Sequence, residues 1–270
     1  MLSRRMMLTF LGILCCHSTS GSLLADEPLV EDIAFTAKLD GTEQRYVQML
    51  PAGFRAEQSH DVLLALHGHG SDRWQFVKQE RAECKASRDF AARHNLIFIS
   101  PDYRAATSWM GPAAEADVLQ IISEVRTKHK ISRVFICGGS MGGSSALAFA
   151  ALHPKLIDGV AAMNGTANFL EYTQFQDAIR ASFGGTKEAI PAEYKKRSAE
   201  YWPEVLTMPV AMSTGGKDAL VPPQSCIRLT SVLKQLNRSV LLLHREEGGH
   251  ETNYDDSLAI LDFMYEKASH

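Results

Sequence analysis

An apolar run at residues 134–137 leads straight into Gly138-Gly139-Ser140-Met141-Gly142-Gly143, and a helix-compatible stretch follows to residue 152. A G-x-S-x-G sequence set between strand and helix constrains this chain more than any other feature. Its glycines let the backbone reverse without a Cβ clash, which holds the serine in a strained conformation with its hydroxyl projecting above a sheet. Such a turn needs a strand end and a helix start side by side. The expected surroundings are therefore a layered α/β domain, not a repeat array.

The rest of the chain supplies those layers. Short apolar runs at 33–38, 45–50, 62–67, 96–100, 134–137, 159–163, 210–214 and 240–244 read as strands, and stretches at 75–94, 113–130, 142–152, 223–237 and 254–267 read as helices. Val118, Ile121, Ile122 and Val125 fall at helical spacing, as do Leu229, Val232, Leu233 and Leu236, so each set forms one buried face. Strands and helices in alternation predict a mostly parallel sheet covered on both sides. Two segments depart from the alternation. Residues 39–44, with the turn pair Asp40-Gly41, join the first two strands into an antiparallel hairpin at the sheet edge. Residues 164–208 hold no strand but many aromatics, including Phe169, Tyr172, Phe175, Phe183, Tyr194, Tyr201 and Trp202, and predict a cap inserted over the sheet, with a helical excursion packed on the flank as the alternative.

Composition excludes several classes. With 270 residues, 45% hydrophobic and 22% charged, the chain has the ordinary globular mixture and material for one large domain. Lys plus Arg number 28 against 31 Asp plus Glu, with no basic block, so nucleic acid is not an expected partner. At the N-terminus, Arg4 and Arg5 precede an apolar run at 6–16, and small residues then lead to Ala25 and Asp26-Glu27. This is the pattern of a signal peptide at 1–25. The run is shorter than the roughly 20 residues that span a bilayer. It predicts cleavage and export, to the periplasm or outside the cell, of a domain at 26–270 with no stable membrane anchor. Cys84, Cys137 and Cys226 show no metal-ligand spacing and read as buried free thiols, with one disulfide as the alternative in an exported protein.

A serine hydroxyl is a weak nucleophile and needs a base held in place by a third group. Asp218 follows the 210–214 strand in Gly215-Gly216-Lys217-Asp218, and His250 follows the 240–244 strand in Glu246-Glu247-Gly248-Gly249-His250. Ser140, Asp218 and His250 thus occur in hydrolase order, each just past a strand's carboxyl end. His244 is the rival base, but it precedes the glycine pair that lets the chain swing back over the sheet. Donors for a developing oxyanion are expected from the backbone N–H groups of Met141 and of His69, in the loop His67-Gly68-His69-Gly70. His67 and His69 have no third ligand at a recognisable spacing, so no metal is expected. Trp109, Tyr103 and Tyr172 are candidate pocket residues, with core packing as the alternative.

Leu66-His67-Gly68-His69-Gly70, the Gly138–Gly143 elbow, Gly216-Lys217-Asp218-Ala219-Leu220-Val221-Pro222 and Gly248-Gly249-His250 together resemble the α/β-hydrolase superfamily over nearly all of the chain past residue 25. Within it, the chain looks like the exported esterases that include feruloyl and acetylxylan esterases and polyhydroxybutyrate depolymerases. It is also similar to the catalytic domain of prolyl oligopeptidases. The resemblance implies the α/β-hydrolase fold, a central sheet of about eight strands, acyl transfer through an acyl-enzyme, and no bound cofactor. The implied substrate is a small-molecule or polymer-linked carboxylic ester. A serine peptidase or amidase would use the same residues, although the sequence has no stretch for the propeller that gates prolyl oligopeptidases. A non-catalytic binding protein on this scaffold would typically lack a triad member, and none is missing here.

Overall fold

The structure, a computed structural model, describes residues 28–268. The expected signal peptide at 1–25 lies outside the described residues. Eight strands form one open sheet: β1 (Leu29–Thr36), β2 (Glu43–Leu50), β3 (His60–Leu66), β4 (Ile97–Pro101), β5 (Ile131–Gly139), β6 (Gly159–Met163), β7 (Val210–Gly215) and β8 (Val240–Arg245). Their order is β1-β2-β4-β3-β5-β6-β7-β8. The expected hairpin is present, with β1 antiparallel to β2 at one edge, and β2 is also antiparallel to β4. From β4 to β8 all pairings are parallel, which brings their carboxyl ends to one rim.

Successive residues of a strand point to opposite faces, and a sheet covered on both sides buries both sets. Val62, Leu64, Leu66, Val134 and Ile136 pack on one face against α3 (Pro112–Lys128), α4 (Met141–Leu152) and α7 (Gln224–Gln235). Leu63, Ala65, Phe135 and Cys137 pack on the other against α2 (Ala82–Arg93) and α8 (Tyr254–Lys267). Cys84, Cys137 and Cys226 are free and buried, and loss of solvation pushes each thiol up to about 12.

The helix expected at 75–94 is broken. The structure has α1 (Gln75–Lys78), then Gln79 in an extended conformation, then α2. Neither Gly nor Pro marks this break. Arg88 causes it from a distance, donating to the carbonyls of Phe76 at 2.9 Å and Gln79 at 2.7 Å and so satisfying the end of α1. The break frees Gln79 and Arg81 to turn toward the sheet's upper rim.

Residues 164–208 form α5 (Gln176–Phe183), α6 (Pro191–Lys196) and two short 3₁₀ turns. Most of this segment lies along the flank, with Phe169, Ile179, Phe183 and Tyr194 merged into the core beside α3, α4 and α7. Its anchor is Arg197, whose side chain is fully buried. The guanidinium donates to the Met110 carbonyl, to Glu115 and to Glu193, each at 2.7 Å. His153 binds the other oxygen of Glu115. Burial alone would raise that carboxyl, but His153, Arg197 and Lys196 outweigh it and hold Glu115 down at about 2. Removing one member of a buried ion pair leaves its partner uncompensated, a loss of about 3–5 kcal/mol. Arg197→Ala is expected to lower unfolding stability by that amount in urea titrations at neutral pH.

Candidate active site

Ser140 joins β5 to α4 with φ 57° and ψ −117°, conformations that residues with side chains rarely adopt. Close packing maintains the turn. A Cβ on Gly142 would fall 2.0 Å from the Leu66 carbonyl oxygen, and one on Gly138 would fall 2.4 Å from the Gly142 carbonyl carbon. Both positions therefore require glycine, and the helix start is pressed directly onto β3.

Two loops beyond β7 and β8 meet this turn. A Cβ on Gly215 would lie 2.1 Å from the Gly249 carbonyl oxygen, so the loops touch through backbone alone. Asp218 is buried, and its Oδ1 accepts the backbone N–H groups of Leu220 at 2.9 Å and Val221 at 2.8 Å. Its Oδ2 lies 2.7 Å from His250 Nδ1, and His250 Nε2 lies 2.9 Å from Ser140 Oγ. With Nδ1–H donating to the carboxylate, Nε2 is free to accept the serine proton. His244, the rival base, instead pairs through Nδ1 with the Thr214 hydroxyl at 2.9 Å.

His69 lies in the loop after β3, and Met141 opens α4. Among the described residues, neither backbone N–H meets a protein acceptor, so both remain available to a developing negative charge beside Ser140. The positive end of the α4 dipole adds to them. The His69 side chain is fixed as well. Trp109 donates its indole N–H to His69 Nδ1 at 3.1 Å, and an indole can only donate. The imidazole is therefore neutral with its proton on Nε2, in keeping with burial, which holds its pKa below the usual range.

These groups border a cleft of about 390 Å³. His69 and Phe175, in ring contact, with Leu220 give the lining an apolar and aromatic end, while the linked Arg81, Glu83 and Thr252 give it a polar one, and Gln75 and Gln79 also line it. The expected pocket residues Trp109, Tyr103 and Tyr172 do not line it. All three are buried behind its wall: Tyr103 donates to the His67 carbonyl at 2.6 Å, Tyr172 to the Leu220 carbonyl at 3.0 Å, and Trp109 to His69. They support the residues that do face the cleft. Among the described residues, no group of three His, Cys, Asp or Glu side chains could hold a metal ion.

Sequence reasoning missed Asn164 and Gln75. Asn164 Nδ2 donates to the His250 carbonyl at 2.7 Å, and Gln75 Oε1 accepts the Gly68 N–H at 2.6 Å. Asn164 directly follows β6, the same relation to a strand end that marks the other loop residues of the site. That position was its only signal. Nothing local to Gln75 distinguishes it.

An open, mostly parallel eight-stranded sheet with a serine at the β5–α4 turn defines a serine hydrolase of the α/β-hydrolase type. The chain belongs to the prolyl oligopeptidase family, whose description matches residues 103–269. No curated protein matches it. Among solved structures, it is similar to Pyrococcus horikoshii acylaminoacyl peptidase (TM-score 0.68, 16% identity), covering 90% of this chain and 42% of that one. It is similar to fluorophosphonate-binding serine hydrolase F of Staphylococcus aureus (TM-score 0.68, 17% identity), covering 89% and 98%. A ferulic acid esterase gives TM-score 0.66 at 17% identity, covering 88% and 98%. The chain thus spans less than half the length of the peptidase and nearly all of the other two.

Asn164 acts by positioning, since its amide holds the backbone of the residue that faces Ser140. A displacement of about 1 Å in such a group costs on the order of a hundredfold in rate. Asn164→Ala is expected to slow covalent labelling by a fluorophosphonate about tenfold to a hundredfold, with an unchanged far-ultraviolet circular dichroism spectrum.

Proposed function

We propose that this chain is an exported serine hydrolase that cleaves carboxylic esters through an acyl-enzyme. The observation that carries the reading is the continuous chain of hydrogen bonds from Ser140 through His250 to Asp218, at the floor of an open cleft. Ser140 Oγ attacks the ester carbonyl while His250 Nε2 takes its proton. Asp218 keeps the imidazole in the required tautomer and stabilises its charged form. The N–H groups of Met141 and His69 hold the oxyanion. His250 then returns the proton to the departing alcohol, and water repeats the cycle on the acyl-enzyme. The Arg4-Arg5 pair and the apolar run at 6–16 support export.

The family match favours a second reading, a serine peptidase or amidase. Leaving-group chemistry separates the two. An alkoxide departs readily, whereas an amide nitrogen must be protonated in a closely set geometry, with the peptide anchored on both sides of the bond. The cleft's aromatic end suits a compact acyl group. The full-length likeness to a ferulic acid esterase, against a partial likeness to a peptidase, points the same way. The expected kcat/KM for an aryl ester exceeds that for the matching anilide by at least about a thousandfold, roughly 4 kcal/mol of transition-state discrimination. Rates within about tenfold of each other would replace this reading with the peptidase one.

The pH profile should report one histidine. Burial holds His67 and His69 below the usual imidazole range, which keeps both in the neutral form near neutral pH. Protonating His250 removes the base, so kcat/KM should fall with falling pH, roughly tenfold per unit on the acid limb. Stopped-rate assays from pH 4.5 to 9 measure that slope, and a limb of roughly a hundredfold per unit would bring in a second histidine.

A further inference from the structure

The polar end of the cleft carries a charged pair that the chemistry above leaves unused. Glu83, in the first turn of α2, lines the cleft although its side chain is only 6% exposed. A carboxylate is buried at a cost unless both oxygens are met, and here both are. Oε1 lies 2.9 Å from Arg81 Nε, and Oε2 accepts the Thr252 hydroxyl at 2.7 Å. Arg81 also lines the cleft, but its side chain is 56% exposed. Among the described residues, no further protein group pairs with its guanidinium. Glu83 therefore orients Arg81 and leaves most of a planar fork of N–H donors for something else. That fork matches the two oxygens of a carboxylate.

The location of the pair says which part of a substrate it meets. Glu83 Cγ lies 3.4 Å from where a Cβ on Gly139 would stand, directly before Ser140. Thr252 stands two residues past His250, the group that hands a proton to the departing alcohol. The pair thus bridges the nucleophile's turn and the acid's loop, on the leaving-group side. The opposite end, with His69, Phe175 and Leu220, is left for the acyl group.

We propose that Arg81 anchors an alcohol subsite and that the preferred ester has a leaving alcohol bearing a carboxylate. The proposal rests on the ester reading above and adds the chemistry of the departing half. Glu83 does not repel such a group, because Arg81 and Thr252 already satisfy its charge. An ammonium group would instead meet an exposed guanidinium and be disfavoured.

The test uses four esters of one aromatic acid, cinnamic acid: carboxymethyl, carbamoylmethyl, choline and methyl. The carboxymethyl and carbamoylmethyl esters are nearly the same size and differ in charge. For the full chain, kcat/KM should favour the carboxymethyl over the carbamoylmethyl ester by about tenfold to a hundredfold, the scale of charge-assisted hydrogen bonds. Arg81→Gln should bring that ratio close to one, and Arg81→Lys, which keeps the charge but loses the fork, should keep part of it. A wild-type ratio near one with the methyl ester cleaved overturns the subsite and leaves the ester reading standing. A preference for the choline ester also overturns the subsite and points to Glu83 as the anchor of a cation. Failure to cleave any of the four overturns both.

Discussion

The conformation of Ser140 is the constraint on which the rest of the site depends. A residue held near φ 57°, ψ −117° costs on the order of 1–3 kcal/mol and persists only where its neighbours over-determine it. Here the neighbours are backbone. The Ser140 N–H donates to the Met163 carbonyl at 2.8 Å, the Ser144 N–H returns to the Ser140 carbonyl at 3.0 Å, and Gly142 is pressed onto Leu66. Three adjacent strands, β3, β5 and β6, thus fix Ser140 by their own ends. The same strand ends release the loop with His69 and the segment with Asn164, so positioning the serine also positions what surrounds it.

A second strained segment lies beneath the first. Tyr103, Arg104, Trp109 and Met110 all have positive φ, from 33° to 87°. Each is tied to a neighbour: Tyr103 to the His67 carbonyl, Arg104 to Asp40 and Asp117, Trp109 to His69, and the Met110 carbonyl to Arg197. The flanking insert reaches the loop after β3 through this segment, because Arg197 belongs to the insert and Trp109 braces His69. The insert therefore acts on the cleft largely from behind, and Asn164 and Phe175 are its direct contributions to the lining.

Much of this was legible in the sequence, for reasons that differ by element. The strands were readable because a sheet buried on both faces demands continuous apolar runs, and α3 and α7 because a one-sided helix shows its period. Ser140, Asp218 and His250 stood out because glycine-rich turns at strand ends are uncommon and have a geometric purpose. The break between α1 and α2 was invisible, since Arg88 makes it through bonds to distant carbonyls and no breaker residue is present. For Tyr103, Trp109 and Tyr172 the sequence leaves pocket and core equally open, for a related reason. An aromatic side chain suits a pocket wall and the layer behind it equally well, and only packing decides between them. Arg81 and Glu83 gave no signal, because an Arg and a Glu near a helix start are ordinary.

The site is largely organised before any substrate arrives. The His250 loop is held at several points, among them Asn164 on its carbonyl, Asp218 on its imidazole, Glu83 on the Thr252 hydroxyl and the Gly215–Gly249 backbone contact. In the proposed mechanism, donors and a base that are already in place need no reorganisation as charge develops. The Trp109 bond extends this to the cleft wall, by fixing which His69 nitrogen carries a proton. With the reacting groups fixed in this way, discrimination between substrates falls to side chains that can vary without disturbing them. On the proposed reading those are Phe175 and Leu220 at one end and Arg81 at the other, whose side chains make no direct bond to Ser140 or His250. The geometry around Ser140 rests on backbone and buried polar contacts, while the proposed specificity rests on more exposed side chains. If Arg81 anchors the alcohol as proposed, a conservative change there alters which alcohol is accepted while Ser140, His250 and Asp218 keep their bonds.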